Sequence, residues 1–537
     1  MEKELMVKTG NLERAQVNTG IRLNSIGFLE NQKKRASISF PCTGFTVVDR
    51  ISGEEIFAGQ IFGPQLNPDT GEEIYTADFS KLNTAGEYYL YVEGLGRSAS
   101  FEIGNYIYRE PYRLAMQAMY LWRCGTEVSV THNGSRYSHE ACHLNDALLD
   151  YAGSPGRVKK STGGWHDAGD YNKYVVNAGI TVGMMIKAWE HFRNRIENIN
   201  HLPDPSGELP PLLQEIKWEM DWLFTMQFDD GSVSHKISTI RFCPFIMPEQ
   251  ETARRYFTPW GSPATADFTA LMAAAARVFG PFDGAYSQKC LDAAVNSYGF
   301  LQEHPEEHQP DLSGFFTGGY ITNDHDGRLW AAAELWETTG EERFLADFQK
   351  RAGEMNPKVE FDFNWKDVRN LAMDTFLFSK RKDRDESLVK EIAASFISTA
   401  NQMAEVADAH GYGRPLGERY CWGANSNLLD QVLVLNTAYR INPDYKYVNT
   451  ALDALGFVFG RNHFCRSFVT SLGFNPPMHP HDRRCGADGV EDPWPGYLVG
   501  GPADNALDYE DVEANCRVNE TAINWNAALI YALAAFA

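Results

Sequence analysis

The chain carries two hydrophobic periods that do not mix, and this limits it to a few architectures. From about residue 20 to residue 104 short runs alternate or are rich in β-branched and aromatic residues. They are Ile21-Arg22-Leu23, Ala36–Phe40, Phe45–Asp49, Tyr88–Val92 and Ser98–Ile103. Turn signals at Ser52-Gly53, Asn67-Pro68-Asp69 and Ala85-Gly86 separate them. Short strands at this spacing predict a β-sandwich of about 85 residues. After Glu110-Pro111 the period changes. Leu114, Ala118, Leu121 and Trp122 recur at helical spacing, and only helical segments follow. Their centres fall near residues 117, 184, 218, 272, 294, 332, 346, 373, 394, 432, 452 and 528. Twelve helices with long, irregular connections predict six hairpins closed into an α/α toroid. The expected organisation is multidomain: a small all-β sandwich over 1–107, with 1–18 a flexible lead, then an all-α (α/α)6 barrel over 108–537. Three connections are long, Gly125–Gly164, Phe228–Pro263 and Phe464–Val518. Loops of that size tend to carry function.

Composition narrows the partners. Apolar residues make up 43% of 537, enough for a large core, and the formal charge is −22. That argues against nucleic acid and anionic membrane surfaces, and favours a neutral or cationic substrate. The 12 Trp and 24 Tyr could stack on sugars, although cores use such rings too. No run of 18 apolar residues is present, so no membrane span is expected. Met1–Arg14 is polar and does not read as a secretory signal. Either the protein stays inside the cell or its leader has been removed. The nine cysteines are scattered and do not form a disulfide framework. A monomer is expected.

The chemistry concentrates in four places. Gly163-Gly164-Trp165-His166-Asp167-Ala168-Gly169-Asp170-Tyr171 sets two carboxylates three residues apart in a glycine-rich loop. Such a pair can hold a water, one member accepting its proton and the other fixing its orientation. Helix capping would account for Asp170 but not for the residues before it. Near the C-terminus Tyr509, Asp511, Asn519 and Glu520 precede an apolar helix, which places Glu520 at or near its first turn. A helix N-terminus lowers an acid's pKa, so burial or neighbouring carboxylates must dominate if Glu520 is to donate a proton. Asn475–Arg483 is proline-rich and presents His481 and Arg483, both donors suited to sugar hydroxyls. Cys124, Cys142, His143 and His166 form a two-thiolate, two-imidazole zinc set, with His132 and His139 as competing ligands.

Together these motifs resemble glycoside hydrolase family 9, the inverting cellulases, over nearly the whole chain. Ile21–Phe28 and Ala77–Ser80 resemble the immunoglobulin-like module that precedes many of its catalytic domains. Gly164–Asp170 is similar to the family's base loop. Ser467–Thr470, Gly473, Asn475 and His481–Arg483 resemble one family signature. Tyr509, Asp511, Glu520, Ala522, Asn526 and Ala527 resemble the other. Cys516 stands where the family usually has an aromatic.

The resemblance implies an (α/α)6 barrel with an open cleft for β-1,4-glucan or cello-oligosaccharide. It implies Asp170 as general base, Asp167 as its helper on the attacking water, and Glu520 as general acid. His481, Arg483, Tyr509 and Trp422 become substrate contacts. The four Cys/His residues become a structural Zn²⁺ site that pins the base loop to the Cys124–His143 segment. There His166 faces the metal and Asp167 faces the cleft. Ca²⁺ is also implied, with Asp229-Asp230 and Asp324-His325-Asp326 as the available ligand runs. Endo action leads. The alternatives are an exo-acting cellodextrinase, β-glucosidase or exo-glucosaminidase, with Phe228–Pro263 as a wall across the cleft. A non-catalytic sugar-binding protein and a non-hydrolytic toroid such as a terpene cyclase lie further off. The sandwich, which lacks an aromatic row, is expected to cover an apolar flank of the barrel.

Overall fold

The computed structural model describes residues 16–203, 207 and 209–537. Most of the expected flexible lead, residues 1–15, lies outside the described residues. The amino-terminal sandwich comprises β1 (Ile21–Arg22), β2 (Gly27–Phe28), β3 (Arg35–Ile38), β4 (Gly44–Asp49), β5 (Glu55–Leu66), β6 (Glu73–Asp78), β7 (Gly86–Val92), β8 (Gly96–Arg97) and β9 (Phe101–Ile103). One sheet runs β1-β3-β6-β5 and the other β5-β4-β7-β9-β2, with β8 beside β7. β5 belongs to both. Its first half pairs with β4 and its second half with β6. Phe28, Phe79 and Phe101 meet between the sheets at 5.0–5.4 Å, where offset and edge-on ring contacts are favourable.

Among the described residues the helical domain holds twelve long helices, one at each expected centre. They are α1 (Arg109–Leu121), α2 (Val175–Ile196), α3 (Pro211–Met226), α4 (Ser262–Phe279), α5 (Gly284–Glu303), α6 (His325–Thr339), α7 (Glu342–Glu354), α8 (Arg369–Phe378), α9 (Glu386–Ala409), α10 (Ala424–Ile441), α11 (Tyr445–Val458) and α12 (Ile523–Ala534). Even-numbered helices form the inner ring and odd-numbered helices the outer one. The sequence explains the division. α12 is buried at every residue and α4 at all but one, so neither has a polar face. α7 buries only Phe344, Leu345, Phe348 and Ala352, a single stripe.

Two short sheets interrupt the connections that were expected to be wholly helical or loop. β10 (Val128–His132) and β11 (Ser135–His139) form a hairpin. β12 (Lys173–Tyr174), β13 (Lys236–Ser238) and β14 (Tyr256–Phe257) form a three-stranded sheet. The strands of the three-stranded sheet are too short to show a period, and in the hairpin only Val128–Thr131 alternates.

All inner helices run the same way. Residues just before them, Asp167, Tyr320, Trp365 and Glu520 among them, gather at one end of the barrel. The opposite end collects their last turns, with Arg277 and Arg440 in two of them and Lys187 further back in α2, and these cations ion-pair with Glu190, Glu334 and Asp374. Cations at helix C-termini complement the macrodipoles. The open end therefore receives six positive helix ends, a setting that favours anions.

The flank under the sandwich is more polar than expected. Ile26, Leu29 and Ile74 join the barrel core, but bonded pairs dominate. Ser37 Oγ donates to Gly411 O at 2.7 Å and Asn24 Nδ2 to Tyr108 Oη at 2.9 Å. Lys33 pairs with Asp453 at 3.1 Å, and Glu72 with His463 at 2.8 Å.

Candidate active site

The base loop is made by glycine and by a neighbouring strap. A Cβ on Gly169 would lie 2.2 Å from the His481 carbonyl, so only glycine allows the approach. Gly169 O accepts from Arg483 N at 3.2 Å and from Arg483 Nη1 at 2.6 Å. The same strap reaches the acid. His481 N donates to Asn519 O at 2.8 Å, and His481 pairs with Glu520 as in a parallel sheet. One segment thus touches the loops of both Asp170 and Glu520.

The two aspartates are bonded differently. Asp167 is buried with both oxygens engaged: Oδ1 accepts from Asn177 Nδ2 at 2.7 Å and Oδ2 from the Tyr320 hydroxyl at 2.9 Å. Asp170 takes all its bonds on Oδ2, from Asn172 N at 3.2 Å, Asn172 Nδ2 at 2.6 Å and Tyr174 Oη at 3.4 Å. Its Oδ1 has no protein donor among the described residues. Asp170 does not cap α2, whose N-cap is Tyr174 without a side-chain bond. Burial raises the pKa of both, and for Asp167 the charge of Asp170 adds to it. Arg483 and the Asn172 bonds hold Asp170 back.

Glu520 is extended (φ −71°, ψ 160°) and ends a short turn, Cys516–Asn519. It stands ahead of α12 and not in its first turn, because Ala522 is the N-cap. The dipole effect fades beyond the first turn. Burial and the charges of Asp170 and Asp167 therefore win, and lift Glu520 well above the ordinary 4.5. Lys236 also faces this cluster. Burial lowers it to about 8 against the pull of Asp170 and Asp167.

Two expected sugar contacts have other work. Arg483 is buried and spends Nε on Cys243 O at 2.9 Å and Nη1 on Gly169 O. Tyr509 donates its hydroxyl to Asn519 Oδ1 at 2.9 Å and packs against Phe464 and Phe468. Both position the loops of the carboxylates. His481 is half-buried, with Nδ1 on Glu513 O at 2.6 Å and Nε2 without a protein partner among the described residues. Trp422 is 53% exposed. The partners Asn172, Asn177, Lys236 and Tyr320 were not foreseen. An Asx pattern at Asp170-Tyr171-Asn172 and the Gly-Gly before Tyr320 were the available signals.

Behind the base loop, donor atoms of Cys124, Cys142, His143 and His166 lie within 4.8 Å of one another. Cys124 Sγ is 3.5 Å from His143 Nδ1, and Cys142 Sγ is 3.5 Å from His166 Nε2. Glu251 holds the far nitrogen of His143 at 3.0 Å, the outer-shell contact a ligating histidine needs. His139 instead bonds the Glu140 carbonyl at 2.8 Å. This donor set fits zinc. The calcium runs fit poorly. Asp230 Oδ1 accepts from Ser232 in a turn. Glu307, Asp324 and His325 lie close together, but Asp324 is taken by Arg328 at 2.7 Å, and that guanidinium also bonds the carbonyls of Leu301 and His304. An internal cation already gathers those oxygens.

A helical toroid whose open end holds a buried pair of aspartates together with a glutamate of raised pKa defines a class, the glycoside-cleaving enzymes. Residues 108–533 match the profile of glycosyl hydrolase family 9, and residues 16–97 match the cellulase N-terminal Ig-like domain. The chain belongs to glycosyl hydrolase family 9 and is a glycoside hydrolase. It is 51% identical to Endoglucanase D of Acetivibrio thermocellus, across 98% of this chain and 84% of that protein. It is 32% identical to a Cellodextrinase of Butyrivibrio fibrisolvens, across 96% and 98%. The crystal structure of a metagenome-derived glycoside hydrolase family 9 endoglucanase superposes with a TM-score of 0.90 at 31% identity, across 96% and 98%.

Proposed function

We propose that this protein is an endo-β-1,4-glucanase that hydrolyses cellulose-type chains with inversion. Asp170 is the general base, Asp167 its positioning partner and Glu520 the general acid. The observation that carries the roles is the free Oδ1 of Asp170, beside an Asp167 with both oxygens fastened. The free oxygen takes a proton from water as that water attacks the anomeric carbon. Burial and the charges of Asp170 and Asp167 favour the protonated form of Glu520, which gives its proton to the leaving oxygen. Inversion needs the acid and base roughly 6.5–9.5 Å apart, with the water between base and sugar. Likeness to Endoglucanase D supports endo action and the glucan. Likeness to the Cellodextrinase keeps an exo reading in play. His481 and Trp422 contact the sugar.

The four-residue Cys/His cluster holds a zinc ion. When bound, the ion supplies a cross-link between the base loop and the Cys124–His143 segment and takes no part in the reaction. Proton NMR of cellotetraose hydrolysis tests the mechanism: the first product should be the α-anomer, and initial β-anomer would reject it. Viscosity of carboxymethyl-cellulose should fall ahead of reducing-end release. The two advancing together would favour exo action.

A further inference from the structure

The end of β5 and the turn to β6 bond the end of α9 and the segment that follows it. Gln65 Nε2 donates to Ala409 O at 2.6 Å, and Asn67 Oδ1 accepts from Gly411 N at 2.9 Å. Asp69, whose carboxylate is buried, accepts on Oδ2 from His410 Nε2 at 3.0 Å and from the Tyr420 hydroxyl. A carboxylate taken out of water must be bonded. Asn67 Nδ2 bonds the Oδ1 of Asp69, while the two donors on Oδ2 come from the two ends of one loop, 410–420, and draw them together. Inside the loop Arg414 bonds the carbonyls of Gly417 and Arg419 and lies 4.1 Å over the Tyr420 ring.

Two residues after Tyr420 stands Trp422. It makes no hydrogen bond or ring contact of its own among the described residues, so its direction is set by the backbone on either side. On the far side Gly423 has φ 83°, and a Cβ there would meet Trp525 Nε1 at 2.6 Å. Asn425 N then donates to Gly500 O at 3.0 Å, and Gly500 N donates to Glu520 O at 3.0 Å. Bonds therefore run from Asp69, in the amino-terminal module, through the Trp422 turn to the strand of the acid.

We propose that Asp69 is a positioning residue for the cleft: the sandwich aims Trp422, and so sets how tightly the glucan chain is held. This rests on Trp422 being a sugar platform, as read above. The module is then a working part of the binding site as well as a support.

The test compares Asp69→Ala and the gentler Tyr420→Phe in the native enzyme and in Trp422→Ala, measuring KM, kcat and melting on cellotetraose. Each variant should raise KM about three- to tenfold with kcat kept, and neither should raise it further in Trp422→Ala, because coupled residues are not additive. An equal rise in both backgrounds, or no rise in the native enzyme, overturns the proposal. A Trp422→Ala enzyme with native KM would instead remove the platform reading itself, and the proposal with it. Tyr420→Phe removes one hydroxyl and keeps the test open should Asp69→Ala fail to fold.

Discussion

His166 and Asp167 are adjacent, yet they face opposite sides of the base loop. His166 lies against Cys142 among the sulfur and imidazole donors, while Asp167 is bonded by Asn177 and Tyr320 at the open end of the barrel. Whatever fixes one fixes the other. Stripping zinc with a chelator should lower Tm and slow hydrolysis together, and restoring zinc should return both. Metal analysis should find one zinc per chain. Full activity and unchanged melting in metal-free protein would break the link.

The unequal bonding of the aspartates predicts unequal losses. Asp170→Asn removes the proton acceptor and should lower kcat by about 10³-fold or more, near the upper range for general base catalysis. Asp167→Asn leaves the acceptor and loosens its setting, so a loss of about 10- to 100-fold is expected. Steady-state kinetics on cellotetraose checks the order. Near-native activity in Asp170→Asn would reject its assignment.

Glu520 should set the alkaline limb of the kcat/KM profile and Asp170 the acid limb, since the base works above its pKa and the acid below its own. Both are raised by burial, Glu520 the more strongly. A raised pKa in the folded state has a sign for stability too. The folded protein keeps the proton longer than the unfolded chain, so stability falls as pH climbs above the ordinary 4.5 toward the folded pKa. Glu520→Gln should therefore melt higher than the native enzyme at pH 7. It should be nearly inactive on cellotetraose but active on a dinitrophenyl cellobioside, whose leaving group needs no proton. A lower Tm would contradict the proposed electrostatics.

Gly169→Ala adds one methyl where 2.2 Å separates the new carbon from the His481 carbonyl. The loop must retreat, at about 1–3 kcal/mol of stability. A shift of about 1 Å at the base can cost about a hundredfold in rate. A folded Gly169→Ala enzyme with native kcat would show that the approach is slack.

What could be read ahead of the structure followed periodicity. The outer helices were legible because an apolar stripe repeats over several turns, and α4 and α12 because their apolar runs are too long for strands. β5 was not: Phe57, Gly59 and Ile61 are half-buried between exposed neighbours, but Ile56 and Phe62 put apolar side chains on the exposed face and Gly59, Gly63 and Pro64 break the run, so the residue types do not alternate. The carboxylates were legible because Asp167 and Asp170 repel each other, and a glycine-rich loop that still holds them three residues apart is built around something they share. The tasks of Arg483 and Tyr509 were not. Residue type shows what a side chain can donate, whereas its target, a carbonyl of Gly169 or the amide of Asn519, comes from a distant part of the chain.

The His481–Arg483 strap bonds the loop of the base on one side and the strand of the acid on the other. It acts as a gauge. The separation of the two carboxylates becomes a dimension of three residues, unaffected when the long connections elsewhere breathe or change length. On warming, such an enzyme should keep its specific rate rising until the gauge itself gives way, and then lose activity in one step. A gradual decline well below the melting transition would mean that the two loops drift independently.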